Sequence, residues 1–163
     1  MNTPNYTEED KKFMQRAIAL AELGMDANAG GPFGAVVVKN GEIIAEGHNN
    51  VTSTNDPTAH AEVVAIRRAC EKLNSFQLTD CVVYTSCEPC PMCLGAIYWA
   101  RPKKVFYGCN REDAAEINFD DQFIYDEIDK EVDNRSIDFV RILRDEAVTV
   151  FNKWADKHDK TAY

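Results

Sequence analysis

Positive charge is what this sequence has least of. Its 163 residues include 18 Lys and Arg against 27 Asp and Glu, which gives a formal net charge of −9. Proteins hold nucleic acids mainly by neutralising phosphates with Lys and Arg, and no basic patch stands out along the chain. The charge therefore disfavours a nucleic-acid partner and favours a small neutral substrate.

Long apolar runs are missing as well. No stretch approaches the roughly 18 apolar residues that a membrane span needs, and residues 1–12 lack the apolar core of a signal peptide. We therefore expect a soluble, cytoplasmic protein with no membrane partner. In a reducing compartment, the six cysteines are expected to be metal ligands or buried thiols and not disulfides.

The apolar pattern predicts one domain over residues 1–163, built from alternating helices and strands. Thr7 is expected to cap an N-terminal helix, and Asn40-Gly41 predicts a tight hairpin between strands at 35–38 and 43–46. After a polar loop at 48–58, we expect a helix at 59–73, a strand at 81–85, a helix ending at 100 and a strand at 105–107. The last three of these predict a parallel crossover.

The C-terminal third differs in composition. Residues 110–135 contain ten acids and three bases together with an apolar and aromatic set, which predicts a short helix and an irregular segment. Residues 137–143 are expected to form a last strand or an extended segment. A terminal helix is predicted at 145–157.

One cluster of residues has the chemistry of a metal site. His60-Ala61-Glu62 is followed by the run Cys87-Glu88-Pro89-Cys90-Pro91-Met92-Cys93. Zinc binds imidazole nitrogen and thiolate sulfur in a tetrahedron. Cys90 and Cys93 lie three residues apart at a predicted helix start, so both sulfurs can reach one point. We expect one zinc ion per subunit, bound by His60, Cys90 and Cys93.

Three protein ligands leave the fourth zinc position open for water, as in catalytic sites. Glu62 lies two residues from a ligand, and residues i and i+2 do not share a helix face, so it suits a general base. His-x-Glu followed by Pro-Cys-x-x-Cys is the signature of zinc nucleobase deaminases. The alternatives are a structural zinc site, an iron–sulfur fragment, and Cys87 as a further ligand.

Other candidate residues are weaker when taken alone. Asn49 follows a strand in a polar loop and could read a base edge or simply form a turn. Phe33 and Trp99 could stack on a purine or belong to the core. Asp121 beside Asp120 could be an acid with a raised pKa or a solvated loop charge. The cysteines outside the metal motif are expected to be small buried side chains; they are Cys70, Cys81 and Cys109.

Four stretches resemble the small bacterial-type guanine deaminases of the zinc-dependent cytidine-deaminase-like superfamily. They are GPFGAVVV at 31–38, NNVT at 49–52, DPTAHAE at 56–62 and YTSCEPCPMCLGAIYWA at 84–100. FDDQFIY at 119–125 and the C-terminal Tyr163 separate this subgroup from the adenosine and cytosine branches.

The resemblance implies a three-layer α/β/α fold around a five-stranded mixed sheet. It implies hydrolysis of guanine to xanthine and ammonia, with Glu62 moving protons, Asp121 assisting protonation of the departing amine and Asn49 holding the purine. We place Phe33, Ala61 and Trp99 beside the base as well. The resemblance also implies a homodimer with exchanged C-terminal segments, about 144–163, in which Tyr163 closes the partner's site.

Two kinds of alternative remain open. The first is another deaminase of the superfamily, acting on guanosine, on another nucleobase or on adenosine in tRNA. The second is a non-catalytic interaction module that zinc stabilises. Glu62 separates the two, since a purely structural metal site has no use for an acid beside an open coordination position.

Overall fold

The computed structural model describes residues 5–162 and divides into two compact units, one ending at Asp121 and one beginning at Gln122. The helices of the first unit are α1 (Glu8–Asp26), α2 (Val51–Thr54), α3 (Ala61–Leu73), α4 (Pro91–Ala100) and α5 (Arg111–Glu116). Its strands are β1 (Gly34–Lys39), β2 (Glu42–His48), β3 (Cys81–Cys87) and β4 (Lys104–Cys109). The predicted elements of this unit are confirmed; α2 is an addition inside the predicted loop.

The start of α1 shows why the chain turns helical there. Thr7 Oγ1 accepts a hydrogen bond from Asp10 N at 3.1 Å, and Thr7 N donates to Asp10 Oδ2 at 2.6 Å, which makes a capping box. The other carboxylate oxygen of Asp10 accepts a hydrogen bond from the Tyr84 hydroxyl at 2.5 Å. The first turn of α1 is thereby joined to β3.

The four strands form one mixed sheet in the order β2-β1-β3-β4. β1 is antiparallel to both β2 and β3, whereas β3 and β4 are parallel. Asn40 and Gly41 both have positive φ, 52° and 79°, as a type I′ hairpin turn requires. The predicted hairpin and the predicted parallel pair are both confirmed.

Helices cover both faces of the sheet. Alternate residues of a strand point to opposite faces, and in β1 Val36 and Val38 pack against α1 while Ala35 and Val37 pack against the opposite cluster. That opposite cluster includes buried residues of α3 and α4. The first unit is therefore layered α/β/α, with α3 and α4 together on one face.

The predicted fifth strand is wrong for residues 5–162, which contain four strands. Residues 138–143 belong to no strand, and Leu143 at their end has a left-handed backbone with φ 50°. An extended segment becomes a strand only when its backbone groups pair with a neighbour, and within the described chain this segment has no such ladder.

The second unit contains α6 (Gln122–Ile128), a 3-10 turn (Val132–Asn134) and α7 (Arg144–Asp156). None of these three elements contains a buried residue. Its exposed apolar side chains include Val140, 79% exposed, and Phe151, 74% exposed. In the described part of the chain, no helix is both long and apolar enough to cross a bilayer.

Candidate metal centre and active site

Two helix N-termini carry the metal-binding residues. His60 is the N-cap of α3, and Cys90 is the N-cap of α4, with Pro91 in the first helical position. Pro is favoured there because its missing N–H has no intrahelical partner in any case. Because α3 and α4 lie on the same face of the sheet, their first turns can approach each other.

The three predicted ligands come together as expected. His60 Nδ1 lies 3.5 Å from Cys90 Sγ and 3.5 Å from Cys93 Sγ, and the three ligand atoms all lie within 4.8 Å of one another. In a tetrahedral zinc site, bonds of roughly 2.0 Å to nitrogen and 2.3 Å to sulfur give a nitrogen–sulfur separation of about 3.5 Å. Among the residues described, this is the one such group of His, Cys, Asp or Glu side chains. The donor set fits zinc.

Local electrostatics favour the thiolate form at Cys90. Hydrogen bonds from Cys93 and His60 lower the pKa of Cys90 to about 4, although burial opposes the shift. The same contact with Cys90 raises the pKa of His60. Thiolate is the form that binds metal, and a helix N-terminus stabilises it further.

Glu62 lies beside these ligands without joining them. Its side chain is buried, with the residue 5% exposed. One carboxylate oxygen accepts a hydrogen bond from Thr85 Oγ1 at 3.0 Å, and the other lies 3.4 Å from Cys93 Sγ. Burial raises the pKa of Glu62 above its ordinary value. A carboxyl group with a raised pKa holds a proton more readily than an exposed one, which suits a proton carrier.

Asn49 is buried and fixed by its neighbours. Its backbone N–H donates to Phe33 O at 2.9 Å, and its Oδ1 accepts from Val51 N at 3.1 Å. Gly30 lies so close to Asn49 that a Cβ added at Gly30 would be 2.0 Å from Asn49 Oδ1. The turn that Asn49 forms and its proposed base contact are therefore compatible, because the amide nitrogen is still available to donate.

Phe33 and Asp121 come from different parts of the first unit. Phe33 is half-buried and makes an edge-on contact with Phe119, the ring centres lying 5.0 Å apart at 88°. The pKa of Asp121 is raised, first by burial and then by the negative charge of Cys90. Asp120 contributes least to that shift, so the predicted effect of adjacent carboxylates is only a minor cause.

The remaining candidates are Ala61, Trp99 and Tyr163. Ala61 is fully buried as the first residue of α3, next to Glu62. Trp99 is 63% exposed and lies six residues beyond Cys93 on α4, about 9 Å further along the helix axis. Tyr163 is outside the described residues. The roles of all three stay predictions.

The other cysteines take no part in the metal group. Cys87 is buried, with its Sγ 3.6 Å from Asn110 O, and burial is the main reason that its pKa rises to about 12. Its sulfur is not among the ligand atoms that lie within 4.8 Å of one another, which are those of His60, Cys90 and Cys93. Cys81 is buried, as predicted, whereas Cys70 is half-buried. Cys109 is exposed at the end of β4, so the prediction for that residue was wrong.

Thr85 is the functional contact that the sequence did not reveal. It is buried in β3, directly after the apolar run Cys81–Tyr84. Its hydroxyl donates a hydrogen bond to the carboxylate of Glu62, 23 positions earlier in the sequence. The Thr85 hydroxyl, followed by that of Ser86 in an otherwise largely apolar strand, was a signal, since buried polar groups need partners. The identity of the partner depends on how α3 lies on the sheet.

Comparisons with known proteins agree with this geometry. Residues 7–109 match the family model of the cytidine and deoxycytidylate deaminase zinc-binding region. Guanine deaminase of Bacillus subtilis (strain 168) is 60% identical over 151 residues, covering 93% of this chain and 97% of that protein. The chain belongs to the guanine deaminases of this zinc-binding family.

Solved structures place the fold in the same family. The X-ray structure of Bacillus subtilis guanine deaminase matches with a TM-score of 0.91 at 59% identity, over 94% of this chain and 98% of that one. Guanine deaminase from Nitrosomonas europaea matches with a TM-score of 0.66 at 28% identity, over 90% of this chain and 84% of that one. A tRNA-specific adenosine deaminase of Aquifex aeolicus is 49% identical, but over 47% of this chain and 50% of that protein.

Proposed function

We propose that this protein hydrolyses guanine to xanthine and ammonia. The observation that carries the proposal is the buried Glu62 carboxylate beside the ligand triad. The chain that carries it is 60% identical to a guanine deaminase over 93% of its own length. His60, Cys90 and Cys93 would hold the zinc ion, which would activate a water as the nucleophile.

The two acids divide the proton transfers. Glu62 takes a proton from the water as its oxygen bonds to the ring carbon that bears the amino group, and passes that proton to a ring nitrogen. Asp121 then gives a proton to the amine, which leaves as ammonia as the carbon–nitrogen bond breaks. The hydroxyl on the same carbon becomes the carbonyl of xanthine and returns its proton to Asp121. The raised pKa values of both acids support these roles, because each must carry a proton near neutral pH.

Base recognition is assigned to four further residues of the described chain. Asn49 donates from its amide nitrogen to an acceptor on the purine, because its oxygen is already occupied by Val51 N. The backbone N–H of Ala61 is among the first of α3, which have no partner inside the helix. Phe33 and Trp99 provide aromatic surface for the ring. The thiol ligands favour a reducing compartment, and we place the protein in the cytoplasm.

The test is ammonia release by the zinc-loaded protein from guanine, guanosine, adenine, cytosine and a tRNA anticodon stem-loop in parallel. We expect turnover of guanine alone. Turnover of guanosine without guanine would replace the proposed substrate by a nucleoside, and turnover of the stem-loop alone would favour a tRNA deaminase. A relative solved with 8-azaguanine, at a TM-score of 0.64 and 34% identity, supports a purine base over a nucleic acid.

Glu62→Gln separates catalysis from metal binding. The amide preserves the shape of the side chain but cannot carry the proton, so we expect turnover to fall at least ~100-fold. Zinc content, measured by metal analysis, should stay at one ion per chain. Loss of zinc and fold in this variant would instead favour the interaction-module reading.

We also propose a homodimer in which residues 144–163 of each subunit pack on the partner and Tyr163 closes the partner's site. The support is an exposed apolar segment with Ile137, Val140 and Ile142 each more than 70% exposed. Between α1 and β4 the first unit has an open groove of about 300 Å³, mostly lined by apolar and aromatic side chains. Exposed apolar patches of this kind mark interaction surfaces.

A further inference from the structure

We propose that Phe119 is a positioning residue that holds the ring of Phe33 and the carboxylate of Asp121 in fixed relation to each other. This inference rests on the proposed function, which makes Phe33 a base-binding residue and Asp121 a proton donor. It deepens that function by explaining how two groups 88 positions apart in the sequence serve one substrate.

The first observation is the contact between the two rings. Phe119 meets Phe33 edge-on, with ring centres 5.0 Å apart and planes at 88°. Edge-to-face geometry is one of the two favoured arrangements of aromatic pairs, because the positive edge of one ring faces the negative face of the other. The contact therefore restricts the orientation of Phe33 and does more than cover it.

The second observation is the space that Gly31 leaves for this pair. A Cβ at position 31 would lie 2.8 Å from Phe119 Cζ and 3.0 Å from Phe33 Cε2. Positive φ is not the reason for the glycine, because Gly41 is the glycine with a left-handed backbone among the described residues. Gly31 is thus needed for room, and the room is occupied by the two rings together.

The third observation is the backbone turn that positions Phe119. After α5 the chain reverses at Asn118, whose φ is 68°, and Phe119 N donates to Ala114 O at 3.0 Å. Ala114 is itself buried, so the turn is anchored to the first unit. Phe119 is directed by this turn towards Gly31 and Phe33.

Asp121 follows Phe119 by two residues, and two residues of extended chain span at most about 7 Å. Asp121 is half-buried, within the segment that the Phe119 turn anchors to the first unit. Release of the Phe119 ring would therefore free the segment that carries this acid. Phe119 is itself 46% exposed, more than expected for a residue that only fills the core.

The test is a kinetic series on guanine with zinc content and thermal midpoint measured for every variant. Phe119→Ala should lower kcat roughly tenfold and raise KM by a similar factor, because both the acid and the base-binding ring lose their fixed positions. Phe119→Leu should lie between this variant and the wild type. Zinc content should not change. Phe76→Ala removes another half-exposed phenylalanine, remote in the sequence from the site, and should leave both constants at their wild-type values.

Two double variants separate positioning from general destabilisation. If Phe119 acts on kcat through Asp121, then Phe119→Ala combined with Asp121→Asn should have the kcat of Asp121→Asn alone. Gly31→Ala should impair the enzyme by crowding the rings, and adding Phe119→Ala should cause no further loss, because the crowded ring is gone.

Several results would overturn the inference. One is a Phe119→Ala enzyme with a lowered thermal midpoint but wild-type kcat and KM. Another is a double variant of Phe119→Ala and Asp121→Asn whose loss of kcat is the product of the two single losses. Wild-type turnover of guanine reports separately on the proposed function. If the wild type deaminates guanosine instead, the same variants are measured with guanosine. If it releases ammonia from none of the tested substrates, the inference fails together with the proposed function.

Discussion

At the scale of single residues, the Thr85 hydroxyl is the group on which the position of Glu62 depends most directly. Thr85→Val removes the hydrogen bond to a buried carboxylate while preserving shape, and such bonds to charged groups contribute roughly 1.5–3 kcal/mol. We expect kcat for guanine to fall roughly 10- to 100-fold with little change in KM, measured by steady-state kinetics.

Thr85→Ser is the matched control for this prediction, because it retains the hydroxyl and should recover most of kcat. Zinc content should be equal in both variants. A Thr85→Val enzyme with wild-type kcat would show that burial and the α3 backbone alone hold Glu62.

Asp10 predicts a pH dependence of stability away from the site. Hydrogen bonds, first from Tyr84 and then from Thr7, hold the pKa of Asp10 below its ordinary value. A lowered folded-state pKa stabilises the protein above the unfolded-state pKa of about 3.9, and this stabilisation is lost as pH falls through the folded-state value. Asp10→Asn should therefore reduce the free energy of unfolding by about 1 kcal/mol at neutral pH.

Chemical denaturation of Asp10→Asn and the wild type at several pH values checks this prediction. The difference between them should be constant from neutral pH to about pH 5 and shrink below pH 4. A difference that does not change with pH would mean that the charge of Asp10 is not what the cap and Tyr84 recognise.

Residue types and local spacing were enough to identify the metal ligands. His60, Cys90 and Cys93 sit at two helix starts, and both starts are marked in the sequence by short-range signals. The contacts of Thr85 with Glu62 and of Phe119 with Phe33 could not be read in this way. They join residues 23 and 86 positions apart, and they exist only because of how helices and loops lie on the sheet.

At the scale of elements, two glycines show how closely helices approach the sheet. A Cβ at Gly47 would lie 2.5 Å from Ala61 O in the first turn of α3, and a Cβ at Gly34 would lie 2.1 Å from Ala17 O in α1. Both substitutions by Ala should destabilise, by roughly 1–3 kcal/mol as overpacked sites do. Only Gly47→Ala displaces the helix that carries His60 and Glu62, so it alone should weaken zinc binding.

Gly95→Ala is the matched control, because Gly95 is exposed on α4 with nothing within 4 Å of a Cβ. This substitution should raise the free energy of unfolding by roughly 0.5–1 kcal/mol, the helix propensity difference between Gly and Ala. Thermal denaturation and a zinc chelator competition assay on the three variants test the set. Equal zinc affinity in Gly47→Ala and Gly34→Ala would contradict the proposed coupling between α3 and the sheet.

Elements with their own caps, turns and apolar alternation were predictable from sequence. The hairpin at Asn40-Gly41 and the capping box at Thr7 are examples, since both are satisfied within a few residues. The expected fifth strand failed for the opposite reason. Residues 137–143 have the composition of a strand, but a strand requires a neighbouring edge, and composition does not specify which edge is free.

At the scale of the whole molecule, the net charge of −9 predicts how activity responds to salt. A neutral base is not steered by the electrostatic field of the protein, so kcat/KM for guanine should vary less than about twofold between about 0.05 and 0.5 M NaCl. A nucleic-acid substrate would lose affinity by orders of magnitude over a comparable range. Added tRNA should not inhibit the reaction, and inhibition that disappears with salt would contradict a purely small-molecule site.

The proposed exchanged dimer predicts that two defective variants restore activity to each other when they form mixed dimers. Glu62→Gln has an intact C-terminus and lacks the proton carrier, whereas Tyr163→Ala has the proton carrier and lacks the terminal ring. When the two variants are unfolded and refolded together in equal amounts, half of the dimers should be mixed. One site in each mixed dimer then combines Glu62 with the partner subunit's Tyr163, so about a quarter of all sites become intact.

Ammonia release from guanine by the refolded mixture therefore should exceed the average of the two variants refolded separately, and approach about a quarter of wild-type activity. The wild type refolded with Glu62→Gln is the control for subunit mixing. If Tyr163 serves the site of its own chain, the mixture gives only the average, because each site then keeps its own defect. Apolar side chains such as Val140 and Phe151, exposed in the single chain, make the first outcome the expected one.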